Sequence, residues 1–260
     1  MRVKNFCKNL CLSLCLMAWT GCDKEEWDFA AEETAESPVI TGEVRSTNGE
    51  PLADVVVRVD YEEQRWLQLP NVRHKAEVKT DKKGAYRLHF LVKDDETTEE
   101  EGLSKSYHLA FDLRNLNPEV YILPGDMYDV PGDTEGDLRT IVGFSYIPAE
   151  KASTYTYDVY VPRKRMIQVT LRGFVPEAYG DYIRLTNTLP YGSGTACADK
   201  DYELRSDGYY SGEERTFSIP FALNEENVVT VERVKNGVSL TEEHTILVSD
   251  NTPASLTFDF

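Results

Sequence analysis

From residue 38 onward the apolar residues of this chain recur with a period of two. In "ADVVVRVD", Val55, Val57 and Val59 fall on one side of an extended backbone, and Val56, Arg58 and Asp60 on the other. Short runs of valine, isoleucine, tyrosine and phenylalanine repeat this pattern to the C-terminus, and Gly, Pro, Asn and Asp punctuate them. No stretch holds a 3.6-residue apolar period over a dozen residues, so helical bundles and doubly wound α/β folds are excluded. The expected fold class is all-β.

The first strand set begins at "SPVITGEVRSTNGEPL", where Ile40 and Val44 share a face and Asn48-Gly49 supplies a turn able to take positive φ. In "KTDKKGAYRLHF", Thr80-Asp81 and Gly84 make a tight turn, after which Tyr86, Leu88 and Phe90 point inward. Gly42-x-Val44, Gly49-x-Pro51-Leu52, Val55-x-Val57 and Thr80-Asp81-x-x-Gly84-x-Tyr86-x-Leu88 together resemble the carboxypeptidase regulatory-like domain. The resemblance implies a transthyretin-like β-sandwich, used as a non-catalytic module in many secreted proteins. Two insertions lengthen this copy: "KDDETTEEEG" (93–102), expected to be a solvated loop, and "PGDMYDVPGDTEGDL" (124–138). The strands resume at "TIVGFSYI" and close with "YTYDVYVP", which sets a boundary at Pro162.

From Arg163 a second strand set runs through "RKRMIQVTLRGF", "DYIRLTN", "RTFSIPFAL", "NVVTVERV", "HTILVS" and "SLTFDF", with Asn236-Gly237 as a hairpin turn. It lacks the motif of the first and reads, from strand rhythm, as an immunoglobulin- or transthyretin-like sandwich. One continuous domain is the alternative.

The start of the chain fixes its address. Arg2, Lys4 and Lys8 precede the uncharged run "LCLSLCLMAW", a secretory signal too short to span a bilayer. It ends in Thr20-Gly21-Cys22, which resembles the lipobox of bacterial lipoproteins, with Trp19 where that family prefers an aliphatic residue. The resemblance implies cleavage before Cys22 and acylation (palmitate among the chains) of its thiol and new N-terminus. An ordinary cleaved signal is the competing reading. Lys24-Glu25-Glu26 resembles the surface-export signal of some Gram-negative lipoproteins, whereas Asp23 is an inner-membrane retention residue in enterobacteria. The expected location is the outer membrane, lipid-anchored and exposed at the cell surface. Residues 22–37 carry seven acids and one lysine, a composition expected to remain an extended tether. The expected parts are therefore signal 1–21, tether 22–37, and sandwiches 38–162 and 163–260.

Removing residues 1–21 takes away three basic residues and no acid, moving the formal charge from −17 to −20. A chain this acidic repels nucleic acid and anionic lipid, which excludes both as partners. Cys7, Cys11 and Cys15 leave with the signal and Cys22 takes lipid, so Cys197 alone remains and no intrachain disulfide forms.

No catalytic constellation stands out, and the chain is expected to be no enzyme and to need no cofactor. "HKAE" (74–77) matches the HxxE zinc pair of metallocarboxypeptidases, but residues three apart on a regular strand face opposite ways. His89 and His108 alternate with apolar residues and are expected to face solvent. The hydroxyisourate hydrolase relatives of transthyretin end in Tyr-Arg-Gly-Ser, whereas this chain ends Thr257-Phe258-Asp259-Phe260. Asp133, Glu135 and Asp137 alternate as a calcium loop does, without the glycine and distal glutamate of an EF-hand, and otherwise read as a solvated acidic loop.

Binding surfaces remain. Tyr209 and Tyr210 in "SDGYYSGEE", with Tyr191 in "LPYGSG", offer loop-borne rings to a sugar or protein. Open sheet edges offer backbone pairing. The sequence thus points to a non-catalytic binding or scaffolding module with an unidentified protein or glycan partner, with glycan capture as one alternative and a pilus-type subunit as another.

Overall fold

A computed structural model describes residues 26–29, 32–123, 141–145, 147–190, 201–208 and 215–259. It is nearly all β, in several sheets. The strands are β1 (Glu26–Trp27), β2 (Val39–Ser46), β3 (Val56–Arg65), β4 (Asn71–Lys79), β5 (Ala85–His89), β6 (Leu103–Asp112), β7 (Ile141–Ser145), β8 (Thr154–Thr156) and β9 (Val159–Val161). They continue with β10 (Lys164–Arg172), β11 (Tyr182–Pro190), β12 (Asp201–Gly208), β13 (Arg215–Ala222), β14 (Glu226–Lys235), β15 (Val238–Leu247) and β16 (Ser255–Asp259). One helical turn, α1 (Asp94–Thr97), interrupts them. Among the described residues no helix is long and apolar enough to cross a membrane.

The first sandwich packs a sheet in the order β1-β4-β3-β6-β7 against one in the order β5-β2-β8, with β9 also on β2. Alternation decides what lies between them. Val57, Val59 and Tyr61 of β3, Leu109 and Phe111 of β6, Ile40 and Val44 of β2, and Tyr86 and Leu88 of β5 are all buried in one core. Two glycines let the second sheet close. A Cβ on Gly42 would lie 1.9 Å from the Tyr157 carbonyl oxygen, and one on Gly84 (φ +75°) 2.3 Å from that of Val44.

The second sandwich packs β13-β10-β16 against β12-β11-β14-β15. Ile167, Val169, Ile183, Leu185, Ile219, Phe221, Val229 and Val231 form its core. The β14–β15 hairpin turns on Asn236 (φ 52°) and Gly237 (φ 74°), the paired positive values that the Asn-Gly dipeptide favours. Asn227 is fully buried and donates to the Ala222 carbonyl (3.0 Å) while accepting from the Ala222 amide (2.8 Å), so it ties β13 to the start of β14. β12 is a strand that the apolar rhythm did not single out.

Two sequence expectations are corrected here. Part of the acidic stretch 22–37 is docked rather than a free tether: Glu26–Trp27 pairs in parallel with β4, and Glu33 takes both terminal nitrogens of Arg87, at 2.5 and 2.7 Å. "KDDETTEEEG" is not wholly a solvated loop either, because α1 turns the Glu96 side chain completely out of solvent. In both places a fixed cation on the sandwich supplies a partner that composition does not reveal.

Candidate functional site

Four of the acidic and basic groups that approach the β1–β4 edge belong to one buried cluster, and a backbone irregularity creates it. Opposite β3, Val59 faces Ala76 and Asp60 faces His74, so Lys75 has no counterpart and forms a β-bulge. The extra residue sends the Lys75 side chain inward, where none of it is exposed. Its Nζ donates to Glu96 Oε1 at 2.8 Å and to Asp28 Oδ2 at 2.7 Å.

Glu96 is equally enclosed and fully satisfied. Oε1 also accepts from Arg73 Nη1 at 3.2 Å, while Oε2 accepts from the Tyr107 hydroxyl at 2.5 Å and the Lys93 amide at 2.9 Å. Arg73 lies over the Tyr61 ring, 5.4 Å from its centroid. Burial and the adjacent Glu96 carboxylate push the Tyr107 phenol well above its ordinary value, so it remains a donor to that carboxylate.

Asp28 closes the cluster from the N-terminal segment. Along β1, Trp27 shares the outer face with His74, its register partner, and the next residue therefore points inward to Lys75. The Asp28 amide donates to the His74 carbonyl at 2.8 Å. Burial alone would raise the Asp28 pKa, but hydrogen bonds and charge from Lys75 and Lys93 outweigh it and hold the carboxyl below its ordinary value.

The bulge also revises the argument about "HKAE". His74 and Glu77 face Asp60 and Arg58, which are two apart on β3, so the pair shares the outer face rather than opposite ones. His74 is nevertheless committed elsewhere: its Nδ1 lies 2.6 Å from Asp60 Oδ1 and the Trp27 ring covers it at 4.4 Å. Among the described residues, no three His, Cys, Asp or Glu side chains gather as a metal site. His89 and His108 are partly rather than fully exposed, near Glu33 and Glu62.

An open groove of about 860 Å³ beside α1 is lined by Glu99, Glu100, Glu101, Ile147 and Ala149, among others. The exposed surface has a second prominent feature. At the tip of the β3–β4 hairpin, Trp66, Leu67 and Leu69 are 86%, 85% and 78% exposed. The tip is shaped by a turn in which the Gln68 amide donates to the Arg65 carbonyl (3.0 Å) and Leu67 takes φ 62°. Three large apolar side chains are thus held in solvent on one ordered turn, an exposed apolar patch.

The residues singled out from sequence (Cys22, Tyr191, Tyr209, Tyr210, Asp133, Glu135 and Asp137, with Cys197) lie outside the described residues. Those that the structure brings together are others. "QRWLQLPN" is the one segment whose sequence carried a signal: apolar residues run into Pro70-Asn71, a pair that marks a turn.

No protein-family model matches the chain, and no curated protein does. Among solved structures, a chain of the Bacillus anthracis TIE protein aligns over 86% of this chain at 13% identity, with a TM-score of 0.26; this chain covers about a third of it (34%). A shaft pilin SpaA from Lactobacillus rhamnosus GG aligns over 86% of this chain and 96% of its own at 11% identity and TM-score 0.27. A candidate cell-adhesion protein from Bacteroides eggerthii DSM 20697 aligns over 92% and 89% at 11% identity and TM-score 0.23. Superpositions this loose carry no argument about role, so the functional reading rests on the residues of this chain.

Proposed function

We propose that this chain is a lipid-anchored, non-catalytic module of a Gram-negative outer membrane, held at the cell surface through Cys22. It presents a carboxypeptidase regulatory-like sandwich over residues 38–162 and an immunoglobulin- or transthyretin-like one over 163–260 to a protein or glycan partner. The observation that supports this reading is the Asp28–Lys75–Glu96 cluster. Its lysine and glutamate have no exposed side-chain surface through which a substrate could reach them. Apart from the local bond from the Lys93 amide to Glu96, their side-chain hydrogen bonds join one part of the fold to another, with Asp28 bringing in the segment just after the lipobox. Such a cluster holds shape and transmits the anchor's position; it does not turn over substrate.

Two acyl chains make membrane attachment stable where one does not. Wild-type protein is therefore expected in the detergent-rich phase of a temperature-induced phase separation. Cys22→Ala is expected in the aqueous phase, or as a species retaining residues 1–21. Undiminished detergent partition of Cys22→Ala protein from which residues 1–21 have been removed contradicts the anchor.

A further inference from the structure

The register of β1 on β4 sets which end of the first sandwich faces the anchor. The two strands are parallel, with Glu26 beside Arg73 and Trp27 beside His74. Traced backward from Glu26, the direction of β1 therefore runs toward Asn71 and the β3–β4 tip. Cys22 is four residues before Glu26, a maximum reach of roughly 14 Å at about 3.5 Å per residue. The tip loop begins just beyond Asn71, two residues and roughly 7 Å from Arg73 at about 3.3 Å per residue. Four residues are thus enough chain to span from Glu26 to the level of Trp66, Leu67 and Leu69.

Resting on the lipid-anchored reading above, we propose that the Trp66–Leu67–Leu69 tip seats in the interfacial region of the same bilayer that holds the Cys22 acyl chains. The tip is a second membrane contact. It fixes which way the first sandwich faces, where the acyl chains alone leave rotation free. The side-chain chemistry suits an interface: tryptophan concentrates at the headgroup level, and the two leucines add apolar surface below it. Charge selects the kind of bilayer. Arg65, at the base of the tip, is paired with Glu100 at 2.5 Å, and Glu99 and Glu101 flank that pair. Glu26 at the same end is paired with Arg73 at 3.4 Å, so Glu99 and Glu101 leave the rim acidic and a zwitterionic surface is favoured over an anionic one.

The test uses the tryptophans of the chain. Under the anchored reading Trp19 is removed with the signal, so in Trp27→Phe protein Trp66 is the remaining tryptophan. The full lipoprotein carrying that change is reconstituted in phosphatidylcholine vesicles with ordinary or brominated acyl chains. Trp66 emission is expected at shorter wavelength than in detergent-free buffer and to lose intensity on the brominated lipid. The wild-type minus Trp66→Ser difference spectrum gives the same readout without altering Trp27. Water-like, unquenched emission from protein that floats with the vesicles and has an acylated terminus by mass overturns the tip contact and leaves the anchor standing. An unacylated terminus overturns both. A shift that grows with protein concentration but ignores bromine assigns the tip to a second copy of the chain and overturns the proposal.

Discussion

Lys75→Met is expected to destabilise the first sandwich by about 3–5 kcal/mol, because it leaves the enclosed Glu96 carboxylate short of its closest cation. Arg73 and the Tyr107 hydroxyl still reach Glu96, which limits the loss but does not replace a buried ammonium. A double variant with Glu96→Gln is expected to recover part of it, since removing both charges costs less than stranding one. Chemical denaturation read by circular dichroism measures all three. Acid should act on the same cluster. The folded pKa of Asp28 lies below its ordinary value, so its contribution is complete above that value, near 3.8, and is lost as pH falls through the folded one. The wild-type melting temperature should therefore fall more steeply below about pH 4 than that of Asp28→Asn. Equal slopes would remove Asp28 from the cluster.

Gly42→Ala is expected to cost about 3 kcal/mol or more, at the upper end of overpacking effects. The added methyl would sit 1.9 Å from the Tyr157 oxygen and 2.7 Å from its carbonyl carbon, and both are backbone atoms that no rotamer change moves aside. β2 would have to leave the segment joining β8 to β9, which hydrogen-bonds it through the Tyr157 amide and the Thr41 carbonyl at 2.9 Å. Gly49→Ala is the control. Unlike Gly42 it has a positive φ, 83°, but it has nothing within 4 Å, so it should lose only the roughly 1–2 kcal/mol of a left-handed backbone. Similar melting temperatures for the two variants would contradict the close approach at Gly42.

These residues show how far a sequence of this kind is legible. The β3, β5 and β14 strands, the Asn236-Gly237 hairpin and the inward set Val55, Val57 and Val59 all follow from alternation and turn chemistry, which are local properties. Gly42 stood in the motif, but its reason, a carbonyl contributed 115 residues later, is not local. Lys75 was hidden by the same rule that revealed the strands. Regular alternation through Val72, His74, Ala76 and Val78 assigns Lys75 to solvent, and only the bulge opposite Val59 and Asp60 reverses it. Glu96 was hidden by its company: among the acids of "KDDETTEEEG" nothing in the letters separates the one that is buried. Asp28 takes its partners, Lys75 and Lys93, from two other segments of the chain. A charge cluster assembled from three segments is a property of the topology, and composition reports only its average.

Under the lipid-anchored proposal, the functional consequence lies in how the anchor is connected. A free acidic linker would let the sandwiches drift from the bilayer. A segment whose strand pairs with β4 and whose aspartate meets an enclosed lysine would instead, under the proposed anchor, tie the attachment point to the fold.

Hydrogen exchange across residues 26–29 of the full lipoprotein, read by mass spectrometry, tests that connection most directly. The Asp28 amide, bonded to the His74 carbonyl, should exchange far more slowly than an unstructured amide, and Lys75→Met should release it while β14 stays protected. Exchange at the unstructured rate in the wild-type chain would mean that residues 26–29 do not grip the sandwich.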